Sequence, residues 1–312
     1  MFKKIIRWFA LTVTVGIAAS VIWAWRSDIP AKEIQLKYGG APSRFIRVLG
    51  MDVHFRDQGN SNDSLPLVLI HGTSSSLHTW EGLIQAMGGS RRIITFDLPG
   101  FGLTGPSPDN TYSYASWNQF LDSLTTGLGI ERFYLGGNSL GGGIAWNYAL
   151  HQPKKLAGLI LIDASGYPKK NESGSIGFRL AAVPGLNLLM LRLTPRILIR
   201  RSLEAAYGQT ELITEELVDR YLELLLREGN RSAALSLFRN PLRPDPMRIR
   251  EIQVPTLVIW GKEDKLIDYR NASQFAHDIP GAHAVVLEGI GHVPMEEAPN
   301  KVVPMVLEFL KK

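Results

Sequence analysis

Apolar residues fall into distinct patterns along the chain. Residues 45–59, FIRVLGMDVHFRDQG, alternate apolar and polar positions on both sides of Gly50, which predicts a β-hairpin. Six later runs read differently: LPLVLIHG (65–72), RRIITFDLPG (91–100), RFYLGGNS (132–139), LAGLILIDASG (156–166), VPTLVIWGKED (254–264) and AHAVVLEGIGH (282–292). Each is a short continuous apolar run ended by Gly, Asp, Asn, Ser or His. Continuous runs suit strands buried on both faces, as in a parallel sheet covered by helices. Helix-length segments such as Tyr112–Leu128 and Leu140–His151 separate most of them. The alternation predicts an α/β fold with a doubly wound, mostly parallel sheet. Ligands of such sheets bind beyond the carboxyl ends of the strands, so the polar residues at those ends are the ones to weigh.

Two stretches depart from this alternation. From about residue 168 to 250 no strand pattern occurs. The periodicity predicts helices at Ile176–Leu193, Pro195–Tyr207, Thr214–Arg227 and Arg231–Asn240, a helical cap inserted between the fourth and fifth of the parallel runs. At the other extreme, residues 8–25, WFALTVTVGIAASVIWAW, carry no charge, and a run of ~18 such residues is the lower threshold for crossing a bilayer. Trp8, Trp23 and Trp25 stand at its ends, where indole rings favour the headgroup region. A cleaved signal peptide is the alternative, with Ala18 and Ser20 as the small residues. Cleavage there would leave the apolar Val21–Trp25 on the mature chain, which favours an uncleaved anchor. The expected organisation is a membrane anchor at 1–30, a linker at 31–44 containing Gly39, Gly40 and Pro42, and an α/β domain at 45–312 that includes the cap. Basic residues on the two sides of the apolar run do not decide its orientation. Its short basic start, with Lys3, Lys4 and Arg7, is the mark of an N-inside segment and would place the domain outside the cytoplasm.

Composition narrows the chemistry. The 312 residues include no Cys, which excludes a disulfide scaffold, a thiolate metal site and a cysteine nucleophile. The net charge is +5, and it is local: Lys169, Lys170, Arg179, Arg192, Arg196, Arg200 and Arg201 face only Glu172 between 169 and 201. The uncharged LAAVPGLNLLML (180–191), too short to span a bilayer, precedes the last four of these arginines. Apolar segments flanked by cations suit the interface of an anionic membrane, so the cap is an expected second membrane contact, although such helices also simply pack on a core. Nothing in the charge pattern suggests a nucleic-acid partner.

The strand ends carry a candidate site. Ser139, in Gly137-Asn138-Ser139-Leu140-Gly141, stands between a strand and a helix, where small residues two before and two after permit a tight turn. The Leu140 N–H at the helix start can bind an oxyanion. A serine hydroxyl needs a base. Of seven histidines, only His71 and His292 end core strands, and His292 lies beyond the last apolar run. An imidazole base needs an acid to fix its tautomer. Asp264 ends the preceding run, and Asp163 and Asp268 are its rivals. The chain order Ser, Asp, His favours Asp264. The Thr73 N–H, after Gly72, is the candidate second oxyanion donor. His71 is read as a buttress of that loop.

HGTSSSLHTW, DLPGFGLTGPS, GNSLGG, WGKEDKLI and GIGHVPMEEAP, in this order, resemble the α/β-hydrolase superfamily of serine hydrolases from about residue 45 to 312. The chain also looks like membrane-anchored bacterial lipase/esterase-like members with a helical cap. The resemblance implies Ser139 as nucleophile, Asp264 as acid, His292 as base, and Thr73 and Leu140 as oxyanion donors. The first loop is HGTS rather than the HGGG of many lipases. The implied activity is hydrolysis of carboxylic esters with an apolar acyl chain, without metal or cofactor. A carbon–carbon bond hydrolase or an acyltransferase on the same triad is the alternative.

Overall fold

The computed structural model describes residues 2–168, 183, 185, 191–240, 242 and 244–311. Eight strands form one sheet: β1 (Arg44–Val48), β2 (Met51–Gly59), β3 (Leu67–Ile70), β4 (Arg92–Phe96), β5 (Phe133–Asn138), β6 (Leu156–Ile162), β7 (Thr256–Gly261) and β8 (His283–Leu287). Their spatial order is β1-β2-β4-β3-β5-β6-β7-β8. The hairpin β1–β2 and the β2–β4 pair are antiparallel, and every other neighbouring pair is parallel. This is the doubly wound sheet that the apolar runs predict.

Alternate residues of each central strand feed two cores. Val68 and Ile70 belong to the core beneath α4 (Tyr114–Gly127), α5 (Leu140–His151) and α9 (Arg270–Asp278), and Leu67 and Leu69 to the core beneath α3 (Glu81–Met87) and α11 (Pro299–Phe309). A strand covered on both sides has no polar face to show, hence the continuous apolar runs. β8 is the exception: as an edge strand it leaves His283 and Val286 exposed. The short α10 (Pro294–Glu297) precedes α11.

Among the described residues between β6 and β7 lie three further α-helices, α6 (Arg196–Ala206), α7 (Glu215–Leu226) and α8 (Asn230–Arg239). Thr214 caps α7 by accepting from Leu217 N at 3.1 Å. Most of the helix expected at 176–193, the uncharged run 180–191 apart from 183, 185 and 191, and Lys169, Lys170, Glu172 and Arg179 lie outside the described residues.

The N-terminal helix α1 spans Phe2–Ala24, long and apolar enough to cross a membrane by length and composition. The chain after it is bonded to the cap. Thr194 N donates to Ala24 O (3.1 Å), Arg26 N to Arg192 O (2.7 Å), Ile29 N to Leu226 O (2.8 Å) and Glu228 N to Ile29 O (2.9 Å). The buried Arg231 reaches Asp28 Oδ1 at 2.7 Å and Arg26 O at 2.9 Å. The segment expected as a linker holds a helix, α2 (Ala31–Tyr38), which buries Ile34 against Leu103 and Leu224. Gly39-Gly40 is where that helix stops, and a sequence reading takes the same glycines for flexible chain.

One contact in the sheet constrains the whole site. A Cβ on Gly137 would collide with the Gly141 carbonyl and lie 2.7 Å from Gly142 N, where backbone cannot yield. Gly137→Ala is therefore expected to cost about 3 kcal/mol, the upper range for overpacking, read as a lower Tm. Gly40→Ala, with open space at its Cβ position, should leave Tm unchanged.

Candidate active site

Ser139 sits in the turn between β5 and α5 with φ 55° and ψ −116°, a backbone conformation that costs a residue with a side chain roughly 1–3 kcal/mol. Hydrogen bonds over-determine it. Ser139 N donates to Ile162 O at 3.1 Å, and Ser139 O accepts from Gly143 N and Ser165 N, both at 3.0 Å. The loop before Thr73 passes close by. A Cβ on Gly72 would stand 2.9 Å from Asn138 Oδ1 and 3.2 Å from Ser139 Cβ, so only glycine lets this loop lie against the serine. Leu140 opens α5, and the first N–H groups of a helix have no partner within it. Ser139, Thr73 and Leu140 thus share one corner at the carboxyl end of the sheet.

Asp264 lies three residues beyond β7, and His292 in the loop between β8 and α10. Asp264 Oδ2 is 2.7 Å from His292 Nδ1, with the two side chains 0% and 6% exposed. Asp264 Oδ1 accepts from Leu266 N (2.7 Å) and Ile267 N (3.0 Å), which fixes the carboxylate. A proton on Nδ1 pointing at Asp264 leaves Nε2 as the basic atom. Asn138, next to Ser139, donates from Nδ2 to His292 O at 2.9 Å and so joins the serine turn to the histidine loop.

The rival acids make other hydrogen bonds. Asp268 Oδ1 accepts from Arg270 N at 2.9 Å, an N-terminal helix bond. Asp163, one residue beyond β6, stands behind Asp264. Its Oδ1 accepts from Gly261 N at 2.9 Å, and a carboxylate oxygen of Asp163, one of Asp264 and a ring nitrogen of His292 lie within 4.8 Å of one another. His71 buttresses the first loop as expected: Nδ1 donates to Gly72 O (2.8 Å) and Nε2 accepts from Leu98 N (3.0 Å). Burial lowers its pKa, which suits this neutral role.

Two groups of residues had no role in the sequence reading. Glu297 accepts at Oε1 from Gly291 N (2.9 Å) and at Oε2 from Gly208 N (2.8 Å) and Gln209 N (3.0 Å). Its neighbour Glu296 accepts from Tyr207 Oη (2.6 Å), Tyr221 Oη (2.7 Å) and the Thr79 hydroxyl. His292 N itself donates to Ala206 O at 2.6 Å. The two acids therefore tie the end of α6 to the histidine loop and to the loop that follows β3. Burial pushes Glu297 up despite its three backbone donors. Both glutamates stand in GIGHVPMEEAP, but an exposed-looking pair of acids at a helix start carries no sign of what will fold against it.

Behind the first loop, buried Asp97 accepts from Leu77 N and Leu103 N, each at 2.7 Å, and pairs with His54 Nδ1 at 2.7 Å. Burial raises the Asp97 carboxyl, but attraction and hydrogen bonding to His54 outweigh it and hold the group below the usual carboxylate range. Burial takes nearby His78 down to about 4. These groups brace the loop from beneath. A histidine in a hairpin strand gives no hint of that partner, which comes from β4.

A family model described as the alpha/beta hydrolase fold matches residues 66–299, from just before β3 to the start of α11. Monoacylglycerol lipase abhd6-B of Xenopus laevis is 27% identical over 294 residues, covering 85% of this chain and 83% of that protein. The 2-hydroxy-6-oxononadienedioate/2-hydroxy-6-oxononatrienedioate hydrolase of Burkholderia vietnamiensis is 30% identical over 287 residues, 87% of this chain and 96% of that protein. The crystal structure of a bacterial membrane phospholipase A has a TM-score of 0.73 at 23% identity and covers 97% of each chain, a likeness of fold. With its sheet order, its serine turn and a family model spanning most of its length, this chain belongs to the α/β-hydrolase fold family.

Proposed function

We propose that the protein is a membrane-anchored serine hydrolase of carboxylic esters with an apolar acyl chain. The observation that carries this reading is the 2.7 Å bond between Asp264 and His292 Nδ1 beside the strained Ser139 turn. In this mechanism Ser139 Oγ attacks the acyl carbonyl and His292 Nε2 takes its proton. The oxyanion is held by the Thr73 and Leu140 N–H groups, each such donor contributing about 3 kcal/mol. His292 then protonates the leaving alcohol and activates the water that releases the acid. Asp264 keeps the imidazole in the required tautomer.

The membrane side of the proposal rests on the seam between anchor and cap. α1 ends at Ala24, which is bonded to Thr194 just ahead of α6. The first turn of α6 exposes Ile197 and Leu198, Arg201 is 74% exposed at its side chain, and Trp23 and Trp25 are exposed at the base of α1. Apolar residues mixed with cations next to a membrane helix suit an anionic lipid interface. The far end of α6 holds His292 through Ala206 O. A lipid ester entering along α6 would thus arrive at the proposed triad. Lys3, Lys4 and Arg7, at the start of α1 and ahead of its uncharged stretch, favour a cytoplasmic N-terminus and a domain outside the cytoplasm. The relatedness to a carbon–carbon bond hydrolase at 30% identity supports a second reading on the same residues.

The test is hydrolysis of p-nitrophenyl esters, acetate to palmitate, by the full chain in detergent. Ser139→Ala should abolish turnover and fluorophosphonate labelling; labelling that persists would remove Ser139 from the mechanism. Asp264→Asn should lower kcat by about 10⁴, as loss of the orienting acid does in other triads. Labelling without turnover of any ester would move the carbon–carbon reading forward. Ile197→Asp with Leu198→Asp should slow cleavage of a long-chain ester in anionic vesicles by about tenfold, the effect expected of lost interfacial burial. The same pair should leave p-nitrophenyl acetate cleavage unchanged.

A further inference from the structure

Asp163 is the buried acid that this mechanism leaves without work. It lies between the strand that leads to Ser139 and the strand that leads to Asp264, and it is bonded on both sides. Asp163 N donates to Ile259 O at 3.0 Å, Gly261 N donates to its Oδ1, and Ser139 N donates to the preceding carbonyl, Ile162 O. Its backbone holds φ 45°, a left-handed value that residues with side chains rarely adopt, so the position is set by its surroundings.

Its other oxygen is the informative one. Asp163 Oδ2 is sealed from solvent, and among the described residues no donor reaches it. A carboxyl oxygen of Asp163 lies within 4.8 Å of one of Asp264. Asp264 has both oxygens occupied as acceptors, from Leu266 N, Ile267 N and His292. Two buried carboxyl oxygens facing each other, both as bare acceptors, repel, and a proton on one turns the repulsion into a hydrogen bond. The acid with fewer donors is the one to carry it, and that is Asp163.

We propose that Asp163 is protonated and donates a hydrogen bond to Asp264, a positioning residue that orients the acid of the triad without adding a second negative charge beside His292. The inference rests on the triad proposed above. Burial first, and then the Asp264 charge, push the Asp163 carboxyl well above the ordinary carboxylate range. The charged or titratable groups packed around it are Asp264 after β7, His292 after β8 and Glu297 of α10. A neutral Asp163 gives Asp264 a donor and leaves the imidazolium of the reaction with one counter-charge in contact.

The variants that separate a neutral from an ionised Asp163 are Asp163→Asn and Asp163→Ala, made in the full chain in detergent. Asn keeps the shape: its carbonyl accepts from Gly261 N, and its amide donates to Asp264. The rate of fluorophosphonate labelling against pH should therefore be near wild type for Asp163→Asn, with the acid limb unmoved. Asp163→Ala should label about tenfold more slowly, the loss expected for a hydrogen bond to a charged group, and Asn rescues it. If Asp163 were ionised, Asn would remove a charge that stabilises the imidazolium. The acid limb would then fall by a unit or more, and the proposal would be overturned. Infrared difference spectra read the proton directly. A protonated-carboxyl band at neutral pH, present in wild type and lost in Asp163→Asn, is expected; no such difference would overturn the proposal even if Asp163→Ala failed to fold. The band needs no substrate and no reaction at Ser139, so its absence is distinct from failure of the ester-hydrolase reading, which shows as wild-type protein that does not label.

Discussion

The backbone of Ser139 is the constraint on which the site depends. Its φ of 55° is unfavourable for any residue with a Cβ, and three backbone hydrogen bonds, to Ile162 of β6, from Ser165 just beyond it and from Gly143 of α5, hold it there. Those bonds need the strand and helix to approach to a distance at which side chains do not fit. Gly137 and Gly72 supply the room, one beneath the turn and one beside it. Sheet order then follows as geometry: β3, β5, β6 and β7 are successive neighbours, so the loops after them converge on the same corner.

Carboxyl groups at that corner are differentiated by their partners. Burial raises the Asp97 carboxyl, but His54, with His71 and His78, holds it below the usual range. Asp264 has two backbone donors and His292. Glu297 has three backbone donors yet is pushed up by burial, and Asp163 has one donor and an acid for a neighbour. Burial penalises the charge on Asp97, Glu297 and Asp163 alike, and the histidines beside Asp97 outweigh it there. Acids near one sheet edge are in this way placed in distinct surroundings.

The cap joins this corner to the N-terminal helix. α6 begins where α1 ends and finishes at the residue whose carbonyl accepts from His292 N. Glu296 and Glu297 fasten that same end to the loops around Ser139. The segment from Arg26 to Tyr38 is packed on the cap through Asp28, Ile29 and Ile34, so α1 continues into a part of the domain and not into free chain. The proposed approach of a lipid ester follows from this continuity.

Much of this was legible in the residues alone. The buried strands show as continuous apolar runs because both faces of the sheet are covered. The serine turn shows as glycines at fixed offsets because the close approach admits nothing larger. Chain order favours Asp264 as the partner of His292 over Asp163 and Asp268, and the tertiary structure adds the 2.7 Å bond between them. What tertiary structure alone decided concerns partners distant in sequence. His54 meets Asp97, Glu297 meets Gly208, Asp28 meets Arg231, and Asp163 meets Asp264. Local periodicity records which way a side chain faces, since burial is set by the element it sits on. It does not record what arrives to meet that side chain from another strand or helix, and the charge, tautomer or proton of a buried group is set by that arrival.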